Sequence, residues 1–139
     1  MSKSNPYILL ADDDQDDRYF MDLSFGEIGW SKSVKFVTSG EAAITYLDSV
    51  PPSKLPSLIV LDYNMPKMNG GTTLTYLKTH EKYKNIPVIV YSTGMTPTLR
   101  NQLITSGATS CYMKVSDQQK LTELVRVFKM IAEGNVVIN

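Results

Sequence analysis

The stretch SLIVLDYNMPKMNGG, residues 57–71, decides how this chain folds. An apolar run, Leu58–Leu61, ends on a carboxylate, Asp62, and a proline and two glycines follow. A short apolar run bounded by turn formers reads as a buried strand. A carboxylate abutting such a strand is costly unless a hydrogen bond, an ion pair, a metal or chemistry offsets its charge.

Four further runs of this kind punctuate the chain: Tyr7–Ala11, Val34–Val37, Ile86–Tyr91 and Cys111–Met113. The segments between them carry apolar residues at helical spacing. Such alternation predicts an α/β fold, a parallel sheet of five strands with helices on both faces. The first helix is expected near Asp14, with Tyr19, Phe20, Leu23 and the Glu27/Ile28 turn setting its buried stripe. The second follows Gly40 (Ala43, Ile44, Leu47), the third follows Gly71 (Leu74, Leu77), and the fourth starts at Thr96 or Pro97, where proline suits a first turn. In the fifth, Leu121, Leu124, Val125, Phe128 and Ile131 fall at i, i+3, i+4, i+7 and i+10, with Ser116 as N-cap and Gly134 as stop. SVPPSKLPS, residues 49–57, is a loop, because its three prolines forbid helix and central strand. One domain over residues 1–139 is expected, its core at about 6–133. The tail at 134–139, NVVIN included, is too short for an element of its own.

At 139 residues, the chain can bury about 68% of the surface it exposes when unfolded, without a disulfide or structural metal. Fourteen basic and fourteen acidic residues cancel, so no net charge draws it to nucleic acid or to an anionic membrane. No stretch approaches the roughly 18 apolar residues of a membrane span, and Met1–Asn5 is too short and polar for a signal peptide. Cys111 is the only cysteine and permits neither an internal disulfide nor a cysteine metal cluster. A cytoplasmic location is expected.

In an open parallel sheet, ligands bind beyond the carboxyl ends of the strands. There the first strand delivers Asp12, Asp13 and Asp14, the third Asp62, the fourth Ser92 and Thr93, and the fifth Lys114. Carboxylates converging in one pit repel one another. A divalent cation relieves that repulsion, and hard oxygen donors suit Mg²⁺. A carboxylate beside such an ion can act as a nucleophile and become an aspartyl phosphate, whose oxygens then need donors such as a lysine and a hydroxyl. Asp62, Lys114 and Ser92 supply those parts.

ILLADD, LIVLDYNMPKMNG, PVIVYST and GATSCYMK together resemble the receiver domain of two-component response regulators, over about Tyr7–Ile131. The resemblance implies the flavodoxin-like strand order 2-1-3-4-5, which is known from a chemotaxis member of that family. It implies Asp12 and Asp13 as the acidic pair around Mg²⁺, Asp62 as phosphoacceptor and the backbone carbonyl of Asn64 as a further metal ligand. Ser92 becomes the hydroxyl that meets the phosphoryl group and Lys114 the cationic clamp. The phosphoryl donor would be a sensor histidine kinase or a histidine phosphotransfer protein. Activation would be read on the surface of the fourth helix, fifth strand and fifth helix. The chain ends soon after that helix, so output is expected through a target protein or a second copy, not through a DNA-binding domain. SGEAAITYL and the proline-bearing loop also resemble the small phytochrome-associated regulators.

Three departures bear on this carry-over. Val115 follows Lys114 where the family usually has proline, which puts the common cis peptide in question. Cys111 stands at the aromatic switch position, and Tyr112, one residue on, faces the other side of a strand. Gly94, two residues past Ser92, leaves no side chain over the pocket. Two other functions compete. A Mg²⁺-dependent phosphohydrolase with an aspartate nucleophile would use the D-x-D spacing within DDD, but the chain lacks room for a cap domain. A docking module on the same fold without phosphorylation is the other. No turnover beyond the protein's own phosphorylation and dephosphorylation is expected. Asp14, Asp16 and Asp17 read as helix N-terminal carboxylates. Gly70 and Gly71 read as backbone conformers at a helix start, Thr93 as a structural hydroxyl, His80 as an exposed group late in the third helix, and Phe25 and Trp30 as packing groups.

Overall fold

The computed structural model describes residues 5–135; the expectation for the C-terminal tail past Asn135 lies outside them. Five strands form one parallel sheet: β1 (Ile8–Ala11), β2 (Val34–Val37), β3 (Leu58–Asp62), β4 (Val88–Ser92) and β5 (Ser110–Met113). Their order is β2-β1-β3-β4-β5, as the resemblance implies. Five helices connect or follow them: α1 (Gln15–Glu27), α2 (Gly40–Ser49), α3 (Gly70–Thr79), α4 (Pro97–Thr105) and α5 (Gln118–Ala132). The proline loop holds a single 3-10 turn, Pro52–Lys54. No helix among the described residues is long and apolar enough to cross a membrane.

Period-2 alternation divides the core into two layers. Leu9, Ala11, Ile59, Leu61, Val88 and Val90 pack with α2, α3 and α4 residues such as Leu47, Leu74 and Leu103. Ile8, Leu10, Leu58, Val60, Ile89 and Tyr91 pack with Phe25 of α1 and Val125 and Phe128 of α5. The central strands β1, β3 and β4 are buried along their whole length. Continued one step, the alternation aims Asp12, Asp62 and Lys114 to the same side as Tyr91, the side that α1 and α5 cover.

The structure corrects several expectations. Tyr19, Phe20 and Leu23 of α1 are exposed, and the buried residues are Met21, Ser24 and Phe25. The reason is the close approach of α5. Ser24 Oγ lies 2.9 Å from Thr122 Oγ1 and accepts from Gln118 Nε2 at 2.6 Å. A small, hydrogen-bonded side chain fits that contact and a bulky apolar one does not. The cap of α5 is Asp117 rather than Ser116, its carboxylate accepting from the N–H groups of Gln119 and Lys120. Helix α3 starts at Gly70, capped by Asn69. His80 is half-buried rather than exposed: it stacks on Tyr83 at 4.5 Å, and its Nδ1 accepts from the Lys82 N–H. Phe25 and Trp30 do pack in the α1/α5 layer, as expected.

Candidate functional site

Sheet register brings the strand ends together. Ala11 pairs with Leu61, Asp62 with Tyr91, and Ser92 with Met113, so the residues just past β1 and β5 flank those ending β3 and β4. One carboxylate oxygen each from Asp12, Asp13 and Asp62 lies within 4.8 Å of the others. Asp12 and Asp62 are buried, and Asp13 is exposed at the mouth. This oxygen-only donor set suits a hard divalent cation.

Each buried carboxylate is held by local backbone as well as by distant side chains. Asp12 Oδ1 accepts from the Asp14 N–H at 2.9 Å, and Asp62 Oδ1 from the Asn64 N–H at 3.0 Å. Lys114 Nζ lies 3.2 Å from Asp62 and 3.4 Å from Asp12. Burial pushes the Asp62 carboxyl up to about 7; the neighbouring Asp12 charge adds to this, while Lys114 and the Asn64 N–H oppose it. Burial alone would lower the Lys114 ammonium. The hydrogen bond it donates to Asp17 and the charges of Asp12 and Asp62 outweigh burial and hold the group above its ordinary value.

Ser92 is buried, and its Oγ accepts from Asn64 Nδ2 at 3.0 Å and from the Gly94 N–H at 3.2 Å. Its own proton therefore remains available to donate. A side chain at Gly94 would meet nothing within 4 Å, so the space beside this residue is open. Thr93 is exposed. Among the described residues every peptide bond is trans, the Lys114–Val115 bond included. Cys111 is buried in the α2/α3/α4 layer, and Tyr112 packs edge-on against Phe128 in the other, so the tyrosine cannot stand in for the cysteine.

Two residues of the pocket escape a reading of the sequence. Asp17, which reads as a helix N-terminal carboxylate, is the nearest acid to Lys114, at 2.7 Å. Tyr91, which reads as an apolar strand residue, donates its buried hydroxyl to Asp12 Oδ2. Burial and the adjacent Asp12 carboxylate hold the phenol well above its ordinary pKa, so it remains a donor. Strand parity was the available signal for Tyr91, since it shares a face with Asp62. No signal existed for Asp17. Removing a donor from a buried charged acceptor costs about 2 kcal/mol. Tyr91→Phe should lose that much stability in urea denaturation with chelator present. Unchanged stability would mean that Asp12 finds another donor.

The comparisons agree with this geometry. A family model described as the response regulator receiver domain matches residues 8–126. The chain is 33% identical over 113 residues to the two-component response regulator ORR11 of Oryza sativa subsp. indica, covering 78% of this chain and 71% of that one. It is 31% identical over 128 residues to the sensor histidine kinase CheAY of Helicobacter pylori, covering 90% of this chain but spanning only 15% of the kinase's length. Among solved structures, the phosphorylated cyanobacterial phytochrome response regulator RcpA superposes with a TM-score of 0.81 at 24% identity, over 97% of this chain and 99% of that one. The Mn²⁺-bound form of response regulator Rcp1 gives 0.75 at 23%, over 96% and 99%. The fold is theirs, and with an acidic pocket built from Asp12, Asp13 and Asp62 at the strand ends, the chain belongs to the response regulator receiver domain family of two-component systems.

Proposed function

We propose that this receiver domain, taken as one domain over the chain, is a phosphoaspartate switch in which Asp62 accepts a phosphoryl group from a partner histidine kinase or histidine phosphotransfer protein. The observation that carries this reading is the pairing of Asp62 with Lys114 at 3.2 Å inside a pocket whose three acids converge within 4.8 Å. The carboxylates of Asp12, Asp13 and Asp62 and the backbone carbonyl of Asn64 would hold Mg²⁺. The bound ion supplies charge neutralisation between these acids and the incoming phosphoryl oxygens.

An oxygen of the ionised Asp62 carboxylate attacks phosphorus of a phosphohistidine on the partner. The P–N bond breaks, the imidazole leaves with the electron pair and takes up a proton from solvent, and Asp62 carries an acyl phosphate. Lys114 draws in one phosphoryl oxygen as a cation, and Ser92 donates its free hydroxyl proton to another. The added charge biases a two-state element, and the surface of α4, β5 and α5 reports the change to a target protein or to a second copy. The metal-bound and phosphorylated states of the structural neighbours support both halves of this reading.

Incubation with acetyl phosphate and Mg²⁺ should add one phosphoryl group per chain by intact-mass measurement, and chelator should prevent it. Incorporation as fast in chelator as in Mg²⁺ would remove the metal from the mechanism. No incorporation under either condition would leave a docking module without phosphorylation.

A further inference from the structure

Lys114 faces more acids than one ammonium can serve equally. Its Nζ lies 2.7 Å from Asp17, 3.2 Å from Asp62 and 3.4 Å from Asp12. The shortest of these is a charge-assisted hydrogen bond at full strength, and the other two are ion pairs at longer range. In the resting protein the lysine therefore makes its shortest contact with α1 while staying paired with Asp62 at longer range.

The three acids differ in what happens when the lysine leaves. The side chain of Asp17 is 36% exposed, that of Asp62 2% and that of Asp12 0%. Water can replace the ammonium at Asp17 at small cost, and it cannot do so at the other two. The lysine also borders open space on its Asp17 side. A cleft of about 530 Å³, lined in part by Asp14, Asp17, Thr93, Lys114 and Val115, opens beside the lysine. The Tyr91 ring centroid lies 5.0 Å from Nζ, a cation–π contact that does not depend on Asp17.

We propose that Asp17 is a positioning residue, the resting-state counter-ion from which Lys114 must transfer when a phosphoryl group appears on Asp62. The inference rests on the phosphoaspartate reading above. A contact present in the resting state and broken in the phosphorylated one opposes phosphorylation. By linkage, its removal favours the phosphorylated form by the same factor. Asp17 thus sets the threshold of the switch without touching the reacting atoms.

Beryllofluoride adds reversibly to a carboxylate as a phosphoryl mimic, so its affinity in the presence of Mg²⁺ reads this equilibrium by isothermal titration calorimetry. Asp17→Asn should bind it about fivefold more tightly than wild type, the low end of measured site-to-site couplings. Asp16→Asn makes the same change of charge one residue away on the same helix, at an exposed position, and should change affinity less than twofold. In a Lys114→Ala background, Asp17→Asn should have no effect, which a residue acting through general charge or through the stability of α1 would not produce. An equal gain in Asp16→Asn, or a gain that persists without Lys114, would overturn the role given to Asp17. Absence of binding by wild type itself would instead overturn the phosphoaspartate reading on which that role depends.

Discussion

Asp62→Asn is expected to abolish phosphoryl acceptance altogether and, by the same change, to make the metal-free protein more stable above neutral pH. The first effect follows from chemistry. An amide offers no anionic oxygen to attack phosphorus, so intact mass should show no gain under conditions in which the wild-type chain is expected to gain one phosphoryl group. A gain that persists in the variant would move the nucleophile elsewhere. The second effect follows from the burial of an ionisable group. The Asp62 carboxyl is pushed up to about 7 by burial and by Asp12, whereas in the unfolded chain it titrates near the ordinary value of about 3.9.

Between those two values the folded state holds a proton that the unfolded state has lost. Stability therefore falls as pH rises from about 4 to about 7, and the whole cost of the buried charge remains above that window. Asparagine carries no such cost. At pH 8 with chelator present, urea denaturation should find the variant more stable by on the order of 2–4 kcal/mol, an advantage that fades towards pH 4. A variant less stable than wild type at pH 8 would mean that the pairing of Asp62 with Lys114 outweighs its desolvation. Added Mg²⁺ should narrow the gap, because the cation offsets the charge that the substitution removes.

Gly70→Ala carries the second large expected effect. A Cβ at this position would lie 2.7 Å from the Asp62 carbonyl oxygen and 2.8 Å from Tyr63 Cα. Both are backbone atoms and cannot rotate aside. The Gly70 N–H also donates to the Tyr63 carbonyl at 2.9 Å, so the first turn of α3 is fastened to the segment that bears Asp62. Relief of the collision must push helix and strand end apart, at a cost of about 1–3 kcal/mol. Any displacement disturbs the segment that bears Asp62 and Asn64, so Mg²⁺ affinity should fall with stability.

The neighbouring Gly71 provides the contrast. An added Cβ there meets only side chains, Asn69 Oδ1 at 3.3 Å and the Tyr63 ring at 3.4 Å. Alanine is the better helix former by about 1 kcal/mol, so Gly71→Ala should be close to neutral. Equal losses in urea denaturation for both alanine variants would show that helix entry in general, and not the contact with β3, requires glycine. The sequence treats the two glycines alike, and only the close return of the first turn of α3 onto the end of β3 separates them.

Much of the pocket is legible in the residues because its parts sit at strand ends. An apolar run that stops on Asp62, and another that stops before Asp12, must place those carboxylates at one edge once the strands are parallel. Lys114 and Ser92 follow by the same rule. Helix starts are legible to within a residue or two: the helices expected near Asp14 and Thr96 begin there, with those residues as caps, whereas Asp117 replaces Ser116 because its carboxylate reaches two N–H groups. The stripe of α1 is not legible, because hydrophobicity ranks Tyr19, Phe20 and Leu23 above Ser24, and close packing against α5 reverses that ranking.

By itself, then, the sequence determined the layers, the rim on which the acids gather and the strand end that carries Asp62. Periodicity and strand length are local properties, and local properties propagate along a chain. Only the tertiary structure decided that Asp17 holds Lys114, that Tyr91 donates to Asp12 and that Gly70 must lack a side chain. Each of these is a meeting of groups far apart in the chain or on different elements, set within an ångström by how α1, β4 and α3 dock on the sheet. No spacing rule encodes such distances, and the strength of a buried ion pair or hydrogen bond depends on them.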